Sequence, residues 1–181
     1  EEPVIRGIIL FGPGSGEDFR YFVHDQAAQD AARVIGFGLL GYTNGGNMNF
    51  WSNNPVLIQG AVQAVLDAAA AASARPEISN APLMITGLSA GAFDSSYLAR
   101  NWPQRTIAFV PHRGNDFSNP VLSEEAKRVP GLFVAGSKDG NSLTEPYYMK
   151  TRFDSWRSQG GQVAFAVDWG VGHTPRGNQG W

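Results

Sequence analysis

A serine among small residues stands between an apolar run and a helical pattern. The segment Gly87–Leu88–Ser89–Ala90–Gly91 follows the run Leu83–Thr86 and precedes a helical pattern over Ala92–Arg100. A serine on such a sharp strand-to-helix turn is exposed, and the glycines on either side leave room for the turn. The turn also aims the amide of Ala90 at the site, at the positive end of the helix. The alternative is a glycine-rich turn with an incidental serine, but the flanking strand and helix favour a nucleophile at Ser89.

A serine hydroxyl is a weak nucleophile near neutral pH and needs a base within hydrogen-bond reach. The chain has three histidines. His173 lies in the loop 170–175 after the last predicted strand, which fits the order serine, acid, histidine of this architecture. His112 follows the fourth predicted strand and is the alternative base, whereas His24 is typical of a solvated surface. We therefore expect His173 to be the base.

Two aspartates could orient the imidazole through its other ring nitrogen. Asp139 follows the fifth predicted strand directly, in the segment 135–140. Asp168 ends the sixth predicted strand, five positions before His173. A short loop could fold back to bring Asp168 to the histidine, or Asp168 could brace the histidine loop. We expect Asp139 to be the acid and keep Asp168 as the alternative.

Backbone amides must stabilise the negative charge that develops in acyl transfer. The amide of Ala90 is one candidate, and the second is expected from the glycine-rich loop 11–16. Pro13 has no amide hydrogen, so Gly14 or Ser15 must donate. The same loop is a poor dinucleotide fingerprint, because Glu17 stands where the third glycine belongs. No Walker-type motif or local pair of histidine metal ligands is present.

Six short apolar runs alternate with helical patterns along the chain. The runs are 8–11, 36–42, 83–86, 106–110, 132–135 and 163–167, and the helical patterns cover 24–34, 54–72, 92–100, 123–128 and 145–159. Strands separated by helices need crossovers, and continuous apolar strands are buried on both faces. The pattern predicts an α/β fold with a doubly wound, mostly parallel sheet, whose functional groups gather at the carboxyl ends of the strands.

Composition narrows the functional classes. The chain has 181 residues, which suits a single domain over 1–181, and a formal net charge of −2 without a basic block. We therefore expect no nucleic-acid partner. No charged run resembling the basic start of a signal segment precedes an apolar run, and no run approaches the roughly 20 apolar residues of a membrane span. The chain has no cysteine, which excludes disulfides and thiolate chemistry.

The sequence resembles the α/β-hydrolase superfamily in four features. These are the glycine turn after the first strand, the turn around Ser89, Asp139 after a later strand and the late His173. The resemblance covers nearly the whole chain. It is strongest to compact bacterial serine esterases of the polyhydroxybutyrate depolymerase, feruloyl esterase and dienelactone hydrolase types. It implies hydrolysis of carboxylic esters through an acyl-enzyme on Ser89, without a cofactor.

Two departures from this family shape the expected substrate. Phe11–Gly12 replaces the His-Gly that usually opens the oxyanion loop. The chain begins near the third strand of a full-sized member and has no large cap insertion, which predicts an open site for small soluble esters or polyester chain ends. Aromatic and amide side chains in loops could bind such a substrate, namely Tyr42, Asn44, Trp51 and Trp169.

Two other functional classes stay open. A ligand-binding protein could have kept the hydrolase scaffold without its chemistry, and the same three residues could cleave thioesters or amides. The sequence leaves the oligomeric state open, and it favours a secreted or periplasmic location over the cytoplasm.

Overall fold

Six parallel strands form one sheet in the computed structural model, which describes residues 4–43, 55–114, 121–140 and 145–174. The strands are β1 (Gly7–Gly12), β2 (Phe37–Gly41), β3 (Leu83–Leu88), β4 (Thr106–His112), β5 (Gly131–Gly136) and β6 (Val163–Asp168). Their order across the sheet is β2-β1-β3-β4-β5-β6, and each neighbouring pair is parallel. The predicted strands and the doubly wound α/β class are confirmed.

Five α-helices connect these strands within the described residues. They are α1 (Gln26–Ile35), α2 (Pro55–Ser73), α3 (Ala90–Asn101), α4 (Glu124–Lys127) and α5 (Pro146–Ser158). Two 3₁₀ helices, Arg20–His24 and Pro76–Asn80, were not predicted. The first helix begins later than expected because the Asp25 side chain accepts the Ala28 amide at 2.8 Å and so caps its start.

The helices cover the two faces of the sheet unequally. One face packs against α2, α3, α4 and α5 through two apolar clusters. The first cluster lies on β1 and β3 and includes Ile8, Leu10, Leu83, Ile85, Ile58, Leu66 and Phe93. The second lies on β4, β5 and β6 and includes Phe109, Phe133, Val163, Met149 and Trp156. Only α1, of the helices described, lies against the opposite face, beside Phe11, Thr86 and His112. Helices on both faces make the sheet doubly wound.

The helix α2 is apolar almost all round. Its segment Val56–Ser73 is long and apolar enough to cross a membrane by length and composition alone, although no membrane span was expected from the sequence. Core helices of soluble proteins meet the same two criteria. In this fold Ile58, Val62 and Leu66 form a buried stripe against the sheet. The lack of a membrane span stays a prediction.

The order of the strands marks where a site is expected. The chain leaves β1 towards one edge to form β2, then returns to the other side of β1 to form β3. In open α/β sheets, ligands bind outside the carboxyl ends of strands at such a switch point. Here the carboxyl ends of β1 and β3 lead into the glycine-rich loop and into Ser89.

Candidate active site

Ser89 occupies a strained turn between β3 and α3. Its φ of 54° and ψ of −109° lie outside the regions that non-glycine residues favour. Its amide donates to the carbonyl of His112 at 3.0 Å, which holds the turn against the end of β4. A Cβ at Gly91 would overlap the carbonyl of Gly12, and a Cβ at Gly87 would overlap Gly91. The two glycines that flank Ser89 are therefore needed because backbones touch at this point.

His173 contacts Asp139 directly. The Nδ1 atom of His173 lies 2.8 Å from Oδ2 of Asp139. The Asp139 side chain is fully buried, whereas 32% of the His173 side chain is exposed. An imidazole that donates its Nδ1 proton to a carboxylate presents a lone pair at Nε2, which is the arrangement of a general base.

A chain of close contacts connects Ser89 with the loop of His173. A Cβ built on Gly114 would lie 2.6 Å from the carbonyl oxygen of Ser89. A Cβ built on Gly136 would lie 2.6 Å from the Val171 carbonyl oxygen and 2.9 Å from Nε of Arg113. The loop after β6 thus folds back across the end of β5 and packs against the residues that follow β4. It brings His173 to the edge of the sheet that carries Ser89.

Asp168 has a different partner. Its Oδ2 lies 2.6 Å from Nη2 of Arg113, a residue that is 1% exposed. The structure therefore places Asp139 on His173 and Asp168 on Arg113. Sequence reasoning missed Arg113, although its position directly after β4 put a cation at a strand end where the functional groups gather.

The two predicted oxyanion donors differ in their surroundings. The residue Ala90 is buried at the start of α3. The amide of Gly14, in contrast, donates to Oε2 of Glu17 at 3.0 Å. Ser15 is exposed on the same loop. The Gly14 amide is therefore occupied in this structure, and an oxyanion could reach it only by displacing Glu17. The roles of Gly14 and Ser15 as oxyanion donors stay a prediction.

Two of the four predicted substrate-binding residues, Tyr42 and Trp169, lie among the residues that the structure describes. The Tyr42 hydroxyl donates to Oδ2 of Asp94 at 2.7 Å. Burial raises the pKa of Asp94 to about 7, against the lowering effect of that hydrogen bond. Trp169 is 84% exposed on the loop that leads to His173, and Asn44 and Trp51 lie outside the described residues. Substrate contacts by these four residues stay a prediction.

A cavity of about 280 Å³ opens beside the turn that carries Ser89, between α1 and the sheet. Its walls include Phe11, Phe19, Phe22, Ala28, Leu88 and His112. The Phe11 and Phe22 rings stack with their centroids 5.5 Å apart. Because Leu88 directly precedes Ser89, this cavity begins within one residue of Ser89.

No family model matches the chain, and no curated protein matches it either. Solved structures do match. SOBER1 from Arabidopsis thaliana superimposes with a TM-score of 0.67 at 18% identity, over 95% of this chain and 92% of that one. The esterase PE8 gives 0.61 at 15% identity, over 96% and 87%.

A phospholipase/carboxylesterase from Dyadobacter fermentans DSM 18053 gives a TM-score of 0.55 at 15% identity, over 96% of this chain and 86% of that one. At such low identities the likeness carries information on the fold. Together with the strand order and the turn at Ser89, it shows that this chain has the α/β-hydrolase-type fold found in esterases.

Proposed function

We propose that this protein is a serine hydrolase that cleaves carboxylic esters through an acyl-enzyme on Ser89. The observation that carries the proposal is the 2.8 Å contact between His173 and the buried Asp139, on loops that follow β6 and β5 at the carboxyl edge of the sheet, the edge at which Ser89 follows β3. An exposed histidine next to a buried carboxylate, at the same edge as a serine with positive φ, fits the arrangement that activates a hydroxyl for acyl transfer.

The first half of the proposed reaction forms the acyl-enzyme. His173 Nε2 accepts the proton of the Ser89 hydroxyl as its oxygen attacks the ester carbonyl. The amide of Ala90, at the positive end of α3, donates to the developing oxyanion. The tetrahedral intermediate then breaks the bond to the alkoxy oxygen, which leaves as the alcohol with the proton from His173.

The second half returns the enzyme to its starting state. His173 takes a proton from a water molecule, whose oxygen attacks the acyl carbonyl. The bond to the Ser89 oxygen breaks, that oxygen recovers the proton from His173, and the carboxylic acid leaves. Throughout, Asp139 stabilises the protonated imidazole and keeps the ring oriented.

The comparisons support ester cleavage as the type of reaction, without supporting a particular substrate. Two of the structural neighbours are named as esterases, one of them as a phospholipase/carboxylesterase. This supports esters as the first class of substrate to test. We propose that the ester is either a small soluble molecule or the end of a polyester chain.

The test combines turnover with covalent labelling. We expect the purified protein to hydrolyse p-nitrophenyl acetate and to be labelled by a fluorophosphonate on the peptide that contains Ser89. The variant Ser89→Ala should lose both, whereas Ser158→Ala, which changes an exposed serine at the end of α5, should keep both. Turnover or labelling that survives in Ser89→Ala contradicts the mechanism. Acetyl thioester and acetanilide substrates, run alongside, test the other acyl bonds.

A further inference from the structure

His112 is one of three polar residues that line the otherwise apolar cavity between α1 and the sheet, and the other two are Asp25 and Thr86. The Thr86 hydroxyl donates to the Val110 carbonyl at 3.1 Å and the Asp25 carboxylate accepts the Ala28 amide at 2.8 Å, so both already have partners in the protein. The register of the sheet pairs His112 with Leu88, so both side chains lie on the face that α1 covers. Neither ring nitrogen of His112 has a hydrogen-bond partner among the residues that the structure describes.

The imidazole of His112 is held in its neutral form. Burial lowers its pKa to about 4, and the charge of Arg113 acts in the same direction, while Asp168 opposes it. At neutral pH the ring therefore offers one N–H donor and one lone pair. A polar group of this kind in apolar surroundings is most stable when a ligand or water completes its hydrogen bonds.

The size and shape of the cavity limit what such a ligand can be. A cavity of about 150 Å³ is enough to hold a benzene ring, and this one measures about 280 Å³. The stacked Phe11 and Phe22 rings provide flat walls for an apolar group. The cavity thus has room for a ring or short branched chain that carries a substituent.

We propose that this cavity binds the acyl group of the substrate, and that His112 selects acyl groups carrying a neutral hydrogen-bonding substituent such as a hydroxyl. The inference rests on the proposed function, because it assigns the acyl part of the ester that Ser89 attacks. His112 is in this view a specificity-determining residue and takes no part in proton transfer at Ser89. An acyl group with a methyl in place of the hydroxyl should be disfavoured, because the methyl group leaves the His112 imidazole without a hydrogen-bond partner.

Matched substrates isolate this contact. Three p-nitrophenyl esters of ring-substituted benzoic acids differ only in the 3-substituent, which is hydroxyl, methyl or carboxylate. We expect the wild type to favour the hydroxyl over the methyl ester by about tenfold in kcat/KM, the worth of one hydrogen bond. The carboxylate ester should be the poorest, because burying a charge beside a neutral imidazole costs more than either.

Variants of His112 test whether the ring is responsible. His112→Leu should bring the hydroxyl-to-methyl ratio to about one, partly by improving the methyl ester, which mere damage to the fold would not do. His112→Gln, which can still hydrogen-bond, should keep part of the preference. The control His24→Leu changes an exposed histidine outside the cavity and should keep the wild-type ratio. A wild-type ratio near one, or an unchanged ratio in His112→Leu, overturns the proposal.

A binding measurement separates this inference from the proposed function. The methyl esters of 3-hydroxybenzoic and 3-methylbenzoic acid are titrated into Ser89→Ala protein, with and without His112→Leu, by calorimetry. A hydroxyl preference that depends on His112 supports the cavity assignment even if the wild type hydrolyses no ester, in which case the proposed function alone fails. Hydrolysis without any such preference in binding or turnover contradicts the cavity assignment alone.

Discussion

At the scale of single residues, the two aspartates near the histidine loop differ in what they touch. Asp139 lies against His173 with its side chain fully buried. Asp168 is 45% exposed and neutralises the buried guanidinium of Arg113. The contact of Asp139 affects the orientation and charge of His173, the proposed base. The contact of Asp168 affects the stability of the carboxyl edge of the sheet, where Arg113 is buried. Substitution of each carboxylate should therefore affect a different measured quantity.

We expect Asp139→Asn to lower kcat by about 10⁴-fold, because an amide no longer stabilises the imidazolium and favours the wrong tautomer. Asp168→Asn should change kcat by less than about tenfold and lower the free energy of unfolding by about 1–2 kcal/mol, a value reduced by its solvent exposure. Steady-state kinetics and urea unfolding of both variants check this. A larger loss of kcat in Asp168→Asn would instead make Asp168 the acid.

A second residue-scale feature is the carboxylate of Glu17 on the glycine-rich loop after β1. The Glu17 side chain accepts the Gly14 amide, and the Glu17 amide donates back to the Gly14 carbonyl at 3.1 Å. The loop is thereby closed on itself. An oxyanion and Glu17 would compete for the same donor.

Glu17→Ala removes this competitor, and we expect kcat on p-nitrophenyl acetate to rise by about threefold to tenfold, the effect of freeing one donor. Asp18→Ala, on the same loop, is the matched control: Asp18 pairs with Arg20 and does not bind the Gly14 amide in the structure. Its kcat should stay within about twofold of the wild type. A fall in kcat in Glu17→Ala would show that the closed loop is the active arrangement.

At the scale of elements, a buried hydrogen bond joins the end of β2 to α3. Tyr42 follows β2, and Asp94 lies five residues after Ser89 on α3. The Tyr42 hydroxyl also lies close to Gly12, where an added Cβ would be 3.0 Å away. The pair therefore ties the helix that carries Ala90 to the strand end that carries the glycine-rich loop.

This pair makes stability depend on pH. Asp94 ionises near 3.8 in the unfolded chain, whereas burial raises its pKa to about 7 in the folded protein. Between these values unfolding releases a proton, so this contribution to stability is complete below about pH 4 and is lost as the pH rises to about 7. The slope for one such group is about −1.4 kcal/mol per pH unit.

Asp94→Asn carries no titrating group and can still accept the Tyr42 hydrogen bond. Between pH values of about 4 and 7, we expect the free energy of unfolding of the variant to fall less steeply with pH than that of the wild type. The two slopes should differ by about 1 kcal/mol per pH unit, as measured by urea unfolding at a series of pH values. Parallel profiles for the two proteins would show that Asp94 is already ionised in the folded state.

The elements were the most predictable part of this protein, and the reasons are local. A strand buried on both faces needs a continuous apolar run, as in 133–135. Gly160 directly follows α5 with a positive φ, a conformation that glycine adopts without strain. The turn at Ser89 was predictable because its two glycines stand close to the serine in the chain, two positions before and after it.

The contacts around the site were not predictable in the same way. The Tyr42–Asp94 and Arg113–Asp168 pairs join residues 52 and 55 positions apart. Asp139 follows β5 and Asp168 ends the neighbouring strand β6, so only the path of the loop after β6 decides which one meets His173. That path depends on backbone contacts at Gly136, which no sequence spacing encodes.

At the scale of the whole molecule, the two faces of the sheet are packed differently at β5. The rings of Phe109, Phe133 and Trp156 meet between β4, β5 and α5, with the Phe109 and Trp156 centroids 5.0 Å apart. On the opposite face of β5, Leu132 is 38% exposed. Adjacent residues of one strand thus have opposite environments.

Alanine substitutions at these two neighbours measure that asymmetry. Phe133 is fully buried, and Phe133→Ala should lower the free energy of unfolding by about 3–5 kcal/mol, because it removes a large ring and leaves a cavity among the other aromatic rings. Leu132→Ala should cost less than about 1 kcal/mol, since much of its surface already meets solvent. Urea unfolding of the two variants and the wild type compares the two faces of the sheet at adjacent positions of β5. Similar losses would mean that Leu132 is covered in solution, and that the face carrying the cavity is as closely packed as the other.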